Sequence, residues 1–140
     1  PKTYAINIRR FIAIDDCGNI INPMIVEGQI HGGLTQGLAP ALFEELIYDE
    51  DGNILNGSLM DYLVPTAVET PNWETDQTVT PSPHHPLGAK GVAESPTVGA
   101  PPAIANAVID ALSHLGVESM GIPITPFKVW QVLKDKGLAA

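Results

Sequence analysis

Hydrophobic and polar positions divide the chain into stretches of different period. Tyr4, Ile6, Ile8, Ile12 and Ile14 fall on alternate positions, interrupted by Arg10, with Ala5, Asn7, Arg9, Phe11 and Ala13 between them. Alternation over about ten residues predicts a strand with one mainly apolar face. Asp15-Asp16-Cys17-Gly18-Asn19 follows as a turn. From Asn22 the period becomes four: Ile30, Leu34, Leu38, Leu42 and Leu46 predict a long helix to about Tyr48. Asn22 suits the N-cap and Pro23 the first helical position, where a missing N–H costs nothing. Gly28, Gly32, Gly33 and Gly37 each weaken that helix by roughly 1 kcal/mol relative to Ala. Pro40 removes an amide donor and predicts a kink or restart near Gly37. So many glycines in one helix point to close packing or to a ligand lying on bare backbone.

Asp49-Glu50-Asp51-Gly52-Asn53 has the composition of a calcium loop, but its glycine comes too early and Met60 stands where a bidentate acid is needed. It reads as a tight turn. Residues 54–64 read as extended, ending at Pro65. Residues 66–91, broken by Pro71, Pro81, Pro83 and Pro86, read as a long connection with a short strand near Gln77–Thr80. Ile104, Val108, Ala111, Leu112 and Leu115 predict a helix starting at Pro102 and closed by Gly116 in a left-handed cap. Thr125-Pro126 opens a last helix with Val129, Val132 and Leu133 inward, and Lys134 and Lys136 at its negative end. No internal repeat is present. The sum is an α+β arrangement in a single unit, residues 1–140. The absence of an initial Met, and an opening strand with few candidate neighbours, read as a piece of a longer protein.

Composition narrows the partners. The 140 residues are 44% hydrophobic and 16% charged, which argues against disorder. The net charge is −9 without a Lys/Arg cluster, so nucleic acid and anionic membranes are poor partners. No apolar run reaches the ~20 residues of a membrane span. Cys17 is the single cysteine, which excludes an internal disulfide framework and a CxxC metal site. These features describe a soluble, acidic, intracellular chain.

The segment Gly88-Ala89-Lys90-Gly91-Val92-Ala93-Glu94-Ser95-Pro96 carries the strongest chemical signal. Small residues let backbone amides approach an anionic ligand. Glu94, between small neighbours and ahead of a helix, could project into a cleft as a base. On composition alone it is first a solvated acid on a flexible loop. Gln29 and Gln36 carry amides suited to a heterocycle edge, yet read equally as helix-surface residues. His31, His84, His85 and His114 lack metal-ligand spacing. Cys17 beside two acids is a poor nucleophile, and Trp73 and Trp130 read as packing residues.

Two of these segments together are far more specific. Gly28-Gln29-Ile30-His31-Gly32-Gly33-Leu34-Thr35-Gln36-Gly37, followed by Gly88-Ala89-Lys90-Gly91-Val92-Ala93-Glu94-Ser95, resembles the molybdenum hydroxylase large subunits, the family of xanthine dehydrogenase, aldehyde oxidoreductase and aerobic carbon monoxide dehydrogenase. Residues 15–19, Ser58-Leu59-Met60-Asp61-Tyr62-Leu63 and Thr80-Pro81-Ser82-Pro83-His84-His85-Pro86 look like the carbon monoxide dehydrogenase branch, and the likeness runs from about Ile6 to Leu133.

The resemblance implies the C-terminal part of the molybdopterin-binding region. Gln29 would hydrogen-bond the cofactor, Lys90-Gly91-Val92-Ala93 would lie against it, and Glu94 would be the active-site carboxylate; no residue is assigned as a metal ligand. The implied cofactor is molybdenum with molybdopterin cytosine dinucleotide, joined by copper in the carbon monoxide branch. The implied chemistry is oxidation with oxygen taken from water. Implied partners are the rest of the large subunit, an FAD-binding medium subunit and an iron–sulfur small subunit, in a dimer of heterotrimers. The implied location is the cytoplasm, with association at the inner face of the membrane.

Two departures stand out: Ala93 occupies a position where glycine is common, and Pro40 interrupts a helix usually unbroken. The other cofactor loops and the loop bearing a copper-binding cysteine are not in the sequence, and Cys17 is in the wrong place to substitute. The resemblance therefore implies a piece without activity of its own. The competing readings are a non-catalytic interaction domain packing on partner subunits, and a hydrolase, for which no paired carboxylate is found.

Overall fold

The computed structural model describes residues 3–139. In chain order come strand β1 (Phe11–Asp15), helix α1 (Pro23–Leu42), strand β2 (Trp73–Gln77), helix α2 (Glu94–Leu112), a 3-10 turn (Ser113–Leu115) and helix α3 (Pro126–Asp135). The architecture is α+β, as expected. β1 and β2 pair in parallel with Phe11 opposite Trp73 and Asp15 opposite Gln77.

The helix starts follow local chemistry. The Asn22 side chain accepts the Ile25 amide at 3.3 Å, with Pro23 beginning α1. Thr125 does the same for the Lys128 amide at 3.2 Å, with Pro126 beginning α3. Gly116 takes the left-handed conformation (φ +76°) that closes the 3-10 turn after α2. The 49–53 turn is also as expected. The Asp49 carboxylate accepts the Asn53 side-chain amide, then the backbone amides of Asn53 and Asp51, which holds it below the usual range.

Other boundaries differ from those expected. The first strand starts at Phe11, not Tyr4, because its partner β2 is only five residues long. β2 lies at Trp73–Gln77 rather than Gln77–Thr80. Its Trp-Glu-Thr-Asp-Gln sequence is too polar to read as a strand, but Trp73 stacks edge-on against Phe11 (5.2 Å between ring centres) and donates from Nε1 to Thr35 at 3.1 Å. Residues 58–62 of the supposed extended stretch form a turn, the Tyr62 amide donating to the Ser58 carbonyl at 2.8 Å. α1 ends at Leu42, not Tyr48, where Phe43 and Glu44 both donate to the Ala39 carbonyl. It runs through Pro40 without restarting.

α2 begins at Glu94, well before Pro102, and passes through Pro101 and Pro102. Pro96 is tolerated in its first turn, where amides lack helical partners anyway. The interior prolines leave carbonyls unpaired, and one of them, that of Thr97, lies against Gly37 of α1. A Cβ built on Gly37 would sit 2.8 Å from that carbonyl and 2.8 Å from Ala100 Cβ. Packing between helices thus overrides the intrinsic helix-breaking of proline.

The main core joins Leu38, Ala41 and Leu42 of α1 to Ile104 and Val108 of α2, Val117, Ile124, and Val129 and Leu133 of α3. A smaller cluster, Ile30, Leu34 and Ala100, fills the angle between α1, α2 and the sheet. Full burial of Leu34, Leu38 or Ile124 is worth about 1.5–3 kcal/mol each. Among the described residues no helix is long and apolar enough to cross a membrane.

The glycines of α1 make opposite predictions. Gly37→Ala forces overlap with α2 and lowers stability by about 1–3 kcal/mol. At Gly28, where a Cβ would meet nothing within 4 Å, alanine raises stability by up to about 1 kcal/mol. Urea unfolding of the two variants checks both signs.

Candidate functional site

At about 100° per residue, Gly28, Gly32, Gln36 and Gln29 occupy one quarter-turn of α1, and Gly33 and Gly37 the adjoining sector. The structure separates the two sectors. Gly28, Gln29, Gly32 and Gln36 are exposed, and a Cβ on either glycine would meet no atom within 4 Å. Gly33 and Gly37 are buried against α2. A Cβ on Gly33 would lie 2.5 Å from Pro96 Cγ and 3.2 Å from the Ala93 carbonyl. Ala93, next to Glu94, therefore lies against the sector of α1 that adjoins the open glycine–glutamine face.

Each residue of that segment is placed separately. Lys90 donates its amide to the Cys17 carbonyl (2.7 Å) and its Nζ to Asp16 Oδ1 (2.8 Å), so its backbone amide and its ammonium group both engage protein. The Val92 side chain packs on the Ile30–Leu34–Ala100 cluster. Ala93 has an ordinary helical backbone (φ −64°, ψ −36°), so the departure from glycine there brings no strain. Glu94 is exposed and opens α2, a position where the helix dipole favours an acid. The amides of Gly91, Val92 and Ala93 have no hydrogen-bond partner among the described residues.

Sequence reading missed what holds this segment, namely the turn after β1. Asp16 Oδ1 accepts the amides of Gly18 (2.9 Å) and Thr80 (3.1 Å) besides Lys90 Nζ. Hydrogen bonding to Lys90, then to Thr80 and Gly18, holds the Asp16 carboxyl well below the usual carboxylate range. Asn19 donates its amide to the Gly88 carbonyl (3.1 Å) and its side chain to the Leu87 carbonyl (2.8 Å). Gly18 and Gly88, both with positive φ, are required where the two turns meet: a Cβ on Gly18 would fall 2.1 Å from the Gly88 carbonyl. The small-residue and Asx-turn composition of 15–19 signalled a turn, but not its distant partner.

Cys17 is buried. No cluster of His, Cys, Asp and Glu able to hold a metal occurs among the described residues. Three cavities, of about 630, 200 and 260 Å³, are lined by residues other than Gln29 and 90–94.

Bare helical backbone flanked by exposed glutamine amides lies beside a segment with free amides and one exposed acid. The chain belongs to the molybdopterin cofactor-binding domain family, whose model matches residues 1–71. It is 61% identical over 132 residues to the carbon monoxide dehydrogenase large chain of Hydrogenophaga pseudoflava, covering 94% of this chain and 16% of that one. Among solved structures it is similar to a Cu,Mo-CO dehydrogenase, with TM-score 0.94 and 55% identity, covering 99% of this chain and 17% of the other. A quinoline 2-oxidoreductase from Pseudomonas putida 86 gives 0.91 and 46%, over 95% and 17%. The chain thus spans about a sixth of the length of these relatives, which are molybdenum-dependent oxidoreductases.

The Asp16 hub has a pH signature. Because its folded-state pKa is depressed, its contribution to holding residues 80–90 is present above about pH 4 and fades as pH falls further. Asp16→Asn is expected to open this segment at neutral pH and to remove the acid-dependent step. Hydrogen exchange at the Thr80 and Lys90 amides measures both effects.

Proposed function

We propose that the chain is the C-terminal part of the molybdopterin-binding region of a carbon monoxide dehydrogenase-like large subunit, carrying its active-site glutamate, Glu94. The observation that supports this reading is the contact of Ala93 and Pro96 with Gly33, next along α1 to the open positions Gly28, Gln29 and Gly32. These residues fit a bulky polar cofactor, because side chains at positions 28 and 32 would fill the space it needs. Gln29 offers both a donor and an acceptor to the pterin edge. Gly91, Val92 and Ala93 offer amides, whereas Lys90 positions the segment through Asp16 and Cys17.

When bound, the molybdenum cofactor supplies two-electron oxidation using oxygen derived from water. Glu94 takes the proton released in that step at its carboxylate, and its place at the start of a helix keeps the acid on a rigid element. The cofactor is read as the cytosine dinucleotide form, with copper supplied by a loop outside this chain. FAD-binding and iron–sulfur subunits carry the electrons away in a cytoplasmic dimer of heterotrimers. Relatives named for carbon monoxide and for quinoline support the reading that substrate choice lies in other parts of the subunit. On this reading the chain alone is inactive.

In the complete enzyme, Glu94→Gln should lower turnover by at least about a hundredfold while molybdenum content stays normal. Wild-type turnover in that variant would remove Glu94 from the active site. Gly32→Leu should raise the unfolding midpoint and Gln29→Ala leave it nearly unchanged, yet both should lose pterin on dialysis. Retained pterin in both would refute the open face as the cofactor surface.

A further inference from the structure

The turn after β1 holds the candidate segment at Lys90, and Asp15, the last residue of β1, reaches past the loop to the helix itself. Ser95, second residue of α2, donates its hydroxyl hydrogen to Asp15 Oδ1. The same hydroxyl lies 3.4 Å from the Val92 carbonyl. α2 has no side-chain cap at Ala93, and Pro96 brings no amide, so its first turn has little holding it from within. Asp15 supplies an anchor from outside. It ends β1, where pairing with Gln77 of β2 and donation from the Thr78 amide to its carbonyl (3.0 Å) fix its backbone. Asp15 and Ser95 line one crevice of about 200 Å³ between β1 and α2, with Leu34, Pro96 and Ala100 as its apolar lining.

We propose that Asp15 is a positioning residue for Glu94, acting through the Ser95 hydroxyl. The proposal rests on the reading of Glu94 as the active-site acid. Glu94 is the residue next to the anchored serine, so the strand sets where the helix begins and where the acid stands. Fraying of this turn would displace the carboxylate while leaving Gln29 and the open face of α1 untouched. A misplacement on the scale of 1 Å is enough to slow a positioned reaction by about a hundredfold.

The test uses the complete holoenzyme with Asp15→Ala, Asp15→Asn and Ser95→Ala. Asp15→Ala is expected to lower kcat by about ten- to a hundredfold, with KM and molybdenum content unchanged. Exchange at the Ser95 and Thr97 amides should quicken by about tenfold or more. Asparagine, which still offers an oxygen to Ser95, should restore most of both effects, and Ser95→Ala should reproduce the alanine phenotype if Asp15→Ala fails to fold. Unchanged exchange with unchanged kcat overturns the proposal, and so does equal impairment by alanine and asparagine. Glu94→Gln separates the two readings. Full turnover in that variant removes the catalytic reading, whereas the exchange result reports on the Asp15 tether with or without it.

Discussion

Where Gly33 and Gly37 of α1 meet the Pro96–Pro101 stretch of α2, the two backbones approach more closely than any side chain would allow. Most of the arrangement depends on this approach. It lets α2 keep prolines in its interior, since the Thr97 carbonyl left unpaired by Pro101 rests on a residue without a Cβ. It brings Ala93, and with it Glu94, to the rim of α1. It also leaves Leu34 and Ala100 to close the small core under the sheet. A larger residue at either glycine would separate the helices and move the candidate acid away from the glutamine face.

The glycine run therefore has two physical roles in adjoining sectors of one helix. At Gly33 and Gly37 the missing side chain makes room for protein. At Gly28 and Gly32 it leaves backbone open beside Gln29 and Gln36. Packing explains the first pair completely. It does not explain the second, because alanine there would meet no neighbour and would strengthen the helix. That pair has no packing role among the described residues.

Local chemistry was legible in the residues, and distant pairing was not. The caps at Asn22 and Thr125, the left-handed Gly116 and the inward Val129 and Leu133 all follow from neighbours within a turn or two. β2 was misplaced because Trp73–Gln77 gains its strand from Phe11 and Thr35, far away in sequence. The start of α2 was set too late because Pro101 and Pro102 look like helix breakers until Gly37 is seen beside them. Glu94 and Gln29 were identified through a family resemblance, since a single acid and a single amide carry little signal by themselves. The hub around Asp16 was missed for the same reason as β2: Thr80 and Lys90 lie more than sixty residues away.

A loop of small residues might be expected to move, and this one has reason not to. Lys90 is tied to Asp16 and Cys17, Val92 is seated in the core cluster, Ala93 presses on Gly33, and Ser95 is held by Asp15. Gly91 and Glu94 are the two members of the stretch 90–95 that none of these contacts holds directly. A catalytic group gains most when its surroundings need no rearrangement as charge develops. Tethers on either side of a free carboxylate meet that condition: the backbone is fixed and the acid stays accessible. The smallness of these residues thus goes with close packing against the rest of the fold rather than with mobility of the chain.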